Sequence, residues 1–330
     1  MNENQFPQLS SETRPTFPHE IHASACGKAI IVGEHAVVYG TRAVAMPLRT
    51  MPFHLSLSPF SPHDGKGKAP QIHLKLAGHD VSPRVHSVVL DAMQLLGLEK
   101  FSLHGKSHST LPIGAGLGSS ATLCVAVLRA LAEAGGMPIS KPKLAEMANE
   151  LEKRFHGNPS GLDTAVVAYE QCILFAKGHP IEAIPVASPT RGRWEFVLID
   201  SHVRASTMAM IRMAEPFLKG PGGDRLLQAF DALSLSVYDA LQRGQTAEVG
   251  AAMNACDQLL RAVGVVPDSL QDMIEESLRS GALGAKTTGA GGGGMLLVLL
   301  DPERAQEQYA ALQASFSEHS LYRVSLDSQT

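Results

Sequence analysis

Leu144, Met147, Ala148, Leu151 and Phe155 recur at three- and four-residue intervals, the spacing that lines one face of a helix, and predict a helix over 142–155. At about 100° per residue these positions fall within roughly 60° of Leu144, and Glu152 lies near 80°, on the border of the apolar face. A longer run rich in Ala, Leu and Val extends from Ser119 to Ala134, with serines as candidate caps at its start and Gly135-Gly136 at its end. A third helix is predicted over 84–96. Short β-type runs at 29–32 and 43–48, punctuated by Gly27, Gly33 and Gly40, predict a strand meander. Further apolar stretches at 194–199 and 295–300 read as strands, with long helical patterns in the sequence between them.

Polar segments divide this pattern. Residues 1–20 are polar with three prolines and read as a loose arm outside the core. The turn-rich, charged 61–70 reads as an exposed loop. A chain of 330 residues favours two lobes of roughly 150 residues each. The turn-rich SPTRGR near residue 190 places the expected boundary, giving lobes of 21–190 and 191–330.

Composition narrows the function classes. Hydrophobic residues make up 44% of the chain, which describes an ordinary folded protein. The formal charge of −4 offers no broad attraction to nucleic acid or anionic lipid, so any phosphate must be held locally. Cys26, Cys124, Cys172 and Cys256 lie far apart without a CxxC pair, which argues against a disulfide framework or structural zinc and fits a reducing cytoplasm. The amino-terminal sequence lacks a basic start and an apolar core of the secretory kind, and no apolar run approaches the length of a bilayer span. Neither secretion nor a membrane partner is expected.

The segment Leu111-Pro-Ile-Gly-Ala-Gly-Leu-Gly-Ser-Ser-Ala-Thr122 carries the first candidate chemistry. Glycines at alternate positions, Gly114, Gly116 and Gly118, let backbone approach an anion closely, and the following helix N-terminus offers N–H groups and partial positive charge. A serine hydroxyl beside phosphates can also meet Mg2+. Read alone, the same segment also fits a Gly-rich turn with a serine cap. Gly289-Ala-Gly-Gly-Gly-Gly294 formally satisfies GxGxxG, but an apolar strand follows where a dinucleotide fold requires a helix. Neither a P-loop nor the HRD and DFG elements of protein kinases occur. Read alone, Asp163 fits a helix cap, Glu152 a solvated flank, Lys28 a solvated lysine, Glu34-His35 a turn and Arg204 a surface arginine.

PIGAGLGSSA closely resembles the second signature of the GHMP kinases. Two more signatures follow the family order, Gly27-Lys-Ala-Ile-Ile-Val-Gly-Glu-His-Ala-Val-Val-Tyr-Gly40 and Lys286-Thr-Thr-Gly-Ala-Gly-Gly-Gly-Gly294. The resemblance implies an α+β, two-lobed fold, with an N-terminal lobe like ribosomal protein S5 domain 2 and a ferredoxin-like C-terminal α/β sandwich. It implies ATP as co-substrate, with Mg2+ held by Ser120 and Glu152. Pro112, Gly114, Ala115, Gly116, Leu117, Gly118, Ser119 and Ser120, together with Gly289, Ala290 and Gly291, are the implied ATP contacts. HGNPSGLD resembles the family's catalytic Asp segment, which makes Asp163 the acidic partner of the acceptor hydroxyl, with Ser160 beside it and Glu152 eleven residues upstream. Lys28 matches the family lysine that supports charge near that Asp.

Within the family the signatures look most like those of members acting on mevalonate. That implies acceptor contacts from Glu34, His35, Ser160, Arg204 and Thr207, with Arg204 able to pair a carboxylate through its planar fork. A sister kinase acting on phosphomevalonate or another small alcohol, and a catalytically silent metabolite sensor, are the alternatives. Oligomeric state stays open, a homodimer being common among the relatives.

Overall fold

The computed structural model describes residues 20–58, 72–76, 78–99, 101–112 and 114–326. The expected arm over 1–20 lies outside these residues except for Glu20, and the expected loop at 61–70 lies wholly outside them. Contacts group the chain into two compact units, each assembled from several stretches: one from residues up to Cys26 with 51–111 and 120–168, the other from 27–50, 112–119 and 169 onward. The architecture is mixed α and β with two sheets, in keeping with the α+β class expected from the sequence.

The first unit takes the start of β1 (Ile21–Val32) and the end of β2 (Ala43–Leu57), then β3 (Ile72–Leu76), β4 (His79–Asp80), α1 (Pro83–Leu95), β5 (Leu103–Ser109), α2 (Ser119–Ala134), α3 (Lys141–His156) and most of α4 (Leu162–Tyr169). β5 pairs antiparallel with β2, Phe53 opposite Ser109 through Leu57 opposite Gly105, and parallel with β3. Phe53, Leu55 and Leu57 are buried while His54 between them is exposed, the two-residue alternation of a half-covered sheet. α2 buries residues almost all round, including Ala121, Cys124, Val125, Leu128 and Leu131, which explains why its sequence lacks a polar face. α3 instead buries one stripe, and Glu152 joins it at 2% exposed. Its last turn carries Lys153, Arg154 and His156, which complement the negative end of the helix dipole.

The second unit holds the end of β1 and start of β2, then β6 (Ile173–Phe175), β7 (Glu182–Ala183), β8 (Trp194–Asp200), α5 (Thr207–Lys219), α6 (Gly223–Arg243), α7 (Thr246–Ala262), α8 (Asp268–Arg279), β9 (Gly284–Thr288), β10 (Met295–Leu299), α9 (Ala305–Ser315) and β11 (Leu321–Leu326). Its four-stranded sheet runs β11-β8-β10-β9 with every pair antiparallel. Every residue of β9 and β10 is buried, Lys286 among them. α7 packs so closely on β9 that a Cβ on Gly284 would stand 2.6 Å from the Gly250 carbonyl oxygen. The expected helices and the strands at 194–199 and 295–300 recur within a few residues, whereas the short runs at 29–32 and 43–48 are parts of longer strands, Ile21–Val32 and Ala43–Leu57. All four cysteines are buried and unbridged. Burial pushes the thiols of Cys172 and Cys256 up to about 12, so neither is a ready nucleophile. Among the described residues no helix is long and apolar enough to cross a membrane.

Candidate active site

The glycine loop before α2 is pinned by alternate residues. Ala115 and Leu117 are each 1% exposed, and their burial turns Gly114 and Gly116 outward with φ of 71° and 83°. Left-handed backbone of this kind is open to glycine and strained for other residues, so the sequence alternation and the backbone geometry have one cause. Gly116 meets Gly289 of the C-terminal Gly-rich loop: a Cβ on Gly289 would lie 3.3 Å from the Gly116 Cα, so the two loops touch through bare backbone. Gly118, φ 74°, lies under the aliphatic chain of Lys28, whose Cγ would stand 2.9 Å from a Cβ there. The Lys28 N–H donates to the Leu117 carbonyl at 3.0 Å, and the residue is 2% exposed. Thr288 closes the set, its hydroxyl accepting from the Ile30 N–H at 2.9 Å and donating to the Ile30 carbonyl at 3.1 Å. The three sequence signatures therefore converge within the second unit through β1 and β9.

Glu34 and His35 follow β1 in a tight turn. The Ala36 N–H donates to the Glu34 carbonyl at 2.6 Å around His35, whose φ of 61° and ψ of −52° define the rare γ-turn with a positive central φ. Such backbone costs about 1–3 kcal/mol and persists only where its surroundings hold it. The Glu34 carboxylate forms an ion pair with Lys286 of β9, and both side chains are essentially inaccessible. Breaking a pair of this kind by removing one partner costs about 3–5 kcal/mol. The His35 Nε2 lies 2.9 Å from the Ala290 carbonyl oxygen. A carbonyl can only accept, so Nε2 carries the proton and neutral His35 keeps Nδ1 as an acceptor. Burial lowers the His35 pKa, the Ala290 bond opposes that effect, and the nearby Lys286 charge reinforces it.

Within the first unit, α2 and α3 bring two oxygen donors together. The Ser120 hydroxyl donates to Glu152 Oε1 at 2.9 Å, and the His156 Nε2 stands 3.2 Å from the same hydroxyl oxygen. Because Ser120 has one proton and gives it to Glu152, His156 is the donor in the second contact. A hydroxyl and a carboxylate are hard oxygen ligands, so the chemistry of this pair would suit a magnesium ion. After the Gly157 turn, the Ser160 hydroxyl accepts from the Leu162 N–H at 3.3 Å and helps start α4. Asp163, half-buried, is the second residue of that helix and lies in its first turn rather than capping it.

Arg204 is engaged at both ends of its fork. Its Nη1 and Nη2 donate to the two carboxylate oxygens of Asp200, each at 2.7 Å. Burial alone would raise the Asp200 pKa, but the Arg204 bonds and the His202 N–H bring it below the ordinary carboxylate value. A ligand carboxylate at Arg204 must therefore compete with Asp200. Thr207 opens α5 and is exposed, as are Ala205 and Ser206.

Four participants escape a reading of spacing. Lys286 looks like any solvated lysine in sequence, and only its place in a strand covered on both sides makes it a buried cation. Thr288 and Asp200 bond to partners far along the chain or across a turn. His156 alone carries a signal, standing four residues after Glu152 on the same helix.

Residues 84–171 match the GHMP kinases N terminal domain and residues 237–318 match the GHMP kinases C terminal family. The chain belongs to the GHMP kinase family of ATP-dependent phosphotransferases. It is 31% identical over 316 residues to a mevalonate kinase of Thermococcus sibiricus, covering 88% of this chain and 92% of that one. It is likewise 31% identical over 291 residues to a mevalonate kinase of Archaeoglobus fulgidus, covering 87% and 95%. Among solved structures, L. major mevalonate kinase in complex with R-mevalonate matches with a TM-score of 0.78 at 22% identity, covering 97% of this chain and all of that one. Streptococcus pneumoniae phosphomevalonate kinase matches with 0.76 at 18% identity, covering 92% and 99%. Sequence identities this low identify a shared fold.

Proposed function

We propose that the protein transfers the γ-phosphoryl group of ATP to the C5 hydroxyl of mevalonate, giving 5-phosphomevalonate and ADP. The observation that carries the phosphoryl-transfer reading is the glycine loop with its outward backbone, followed directly by the Ser120 hydroxyl on the Glu152 carboxylate. Mevalonate as the acceptor is supported by the two relatives about one-third identical over most of both chains.

In this reading Pro112 flanks the nucleotide, Gly114 through Ser119 cradle the phosphates with backbone N–H groups, and Gly289, Ala290 and Gly291 line the nucleotide side. Ser120 and Glu152 hold Mg2+, which neutralises phosphate charge when bound. Lys28 supports the charge on the transferring group, and its rigid seat over Gly118 limits the ways its ammonium can be placed. Asp163 orients the acceptor hydroxyl or takes its proton. A loose transition state requires little proton removal early, so orientation is the larger share of that role. His35, Ser160 and Thr207 meet the acceptor, and Arg204 receives its carboxylate in exchange with Asp200.

A coupled ADP-release assay with mevalonate, phosphomevalonate, homoserine and galactose tests the assignment. Mevalonate- and Mg2+-dependent release is expected, with little activity on galactose or homoserine. Equal or greater turnover of phosphomevalonate would overturn the acceptor while leaving the family intact.

Glu152→Gln tests the metal. The amide keeps the shape and a hydrogen-bonding oxygen for Ser120 but removes an anionic ligand from a hard-cation site. The Mg2+ concentration for half-maximal rate should rise roughly tenfold, or turnover should fall by that factor, with the melting temperature little changed. A Mg2+ titration superimposable on wild type removes Glu152 from the metal shell.

A further inference from the structure

We infer that Lys286 is a positioning residue for the acceptor side of the site, acting through Glu34 on His35, and that Glu34 is itself an internal anchor instead of a substrate contact. The inference rests on the reading of His35 as an acceptor-binding residue.

Both Glu34 oxygens are already used inside the protein. Oε1 takes the Lys286 ammonium, and Oε2 accepts from the Cys256 thiol of α7 at 3.6 Å. With a side chain only 1% exposed, the carboxylate has no surface left for a ligand. Lys286 is equally committed, donating also to the Thr287 carbonyl at 2.5 Å. Its ammonium is thus fixed from β9, a strand locked on one edge by β10 and packed against α7 and α8.

The consequence falls on the next residue. Glu34 is the first residue of the γ-turn and His35 its strained centre, so an anchor at Glu34 opposes relaxation of the turn. The same strand leads from Lys286 through Thr288 into the loop whose Ala290 carbonyl receives the His35 Nε2 proton. One rigid element therefore fixes His35 from two directions: through the Glu34 side chain on the backbone, and through Ala290 on the ring. The result is a single neutral tautomer with Nδ1 as an acceptor, suited to a hydroxyl-bearing substrate.

Removing only one charge would strand its partner in the interior and could unfold the protein. The test variant is accordingly Lys286→Met/Glu34→Gln, which deletes both charges and keeps comparable volumes. Acceptor KM and kcat are measured on whichever of the four alcohols the wild-type chain phosphorylates, so a wrong acceptor assignment leaves this test standing. Nitrogen-15 NMR of the His35 ring is recorded on the same proteins without substrate, and decides alone if no alcohol is phosphorylated.

In the folded double variant, acceptor KM should rise roughly tenfold or more while KM for ATP moves less than threefold. The His35 ring signals should shift from one neutral tautomer toward a mixture. Either an acceptor KM within threefold of wild type or unchanged ring signals overturns the proposal. If the double variant fails to fold, Lys286→Met/Glu34→Met, which leaves neither a charge nor an amide unpaired in the interior, takes its place, and the same two outcomes decide.

Discussion

Turnover of Asp163→Asn is expected to fall by roughly 10²-fold or more, the scale for removing a positioned acid or base, with ATP affinity retained. Asn preserves the size and most of the hydrogen-bonding geometry of Asp, so the change isolates the negative charge proposed to face the acceptor hydroxyl. The structure sharpens the control. Asp163 lies inside the first turn of α4, where its carboxylate also interacts with the helix dipole. That interaction contributes about 0.3–1 kcal/mol, so the melting temperature reads the structural part of the substitution and turnover reads the catalytic part. Turnover, ATP affinity and melting temperature measured on one preparation separate the two roles. A folded variant with near-normal phosphorylation would mean that another group serves as the acceptor's acidic partner.

Gly118→Ala should produce the next largest effect. The added methyl would stand 2.9 Å from Lys28 Cγ and 3.1 Å from Cε, so the lysine chain must leave its seat. Gly114 supplies the comparison: its φ of 71° is nearly that of Gly118 at 74°, yet a Cβ there meets nothing within 4 Å. Both alanine variants carry the cost of a left-handed non-glycine residue, about 1–2 kcal/mol, and only one displaces Lys28. The loss of kcat for Gly118→Ala should therefore exceed that for Gly114→Ala by about tenfold or more. Equal losses would show that strain in the loop, together with a methyl on the proposed phosphate side at Gly114, costs as much as moving Lys28, and that the seat of Lys28 is not decisive.

The contrast between these variants follows from what spacing can convey. Glu152 was legible as a border position because the helix period puts it about 80° from Leu144, and the helix buries it. The span of α2 was legible because an Ala/Leu/Val run ending in two glycines has few other local solutions, and its ends coincide with Ser119 and Ala134. The three glycines before it were legible as a loop whose backbone can approach an anion closely, and the structure adds that all three have left-handed φ. Arg204 shows the limit. Its type suits a carboxylate, but Asp200 occupies its fork, and nothing in the pattern around residue 200 announces that pairing.

By itself the sequence determined the local elements and, through three ordered signatures, the family, and it marked the glycine loop as a candidate phosphate site. Each of those depends on interactions among residues close in the chain, or on a residue-by-residue likeness that needs no coordinates. Only the tertiary structure decided that Lys286 is a buried cation on Glu34, that Thr288 ties β9 to β1, and that His35 is a neutral ring with its Nε2 proton committed to Ala290. These contacts join residues more than 200 positions apart. Their energies come from removing charge and polar groups from water, and how much water remains is a property of packing that no local spacing encodes.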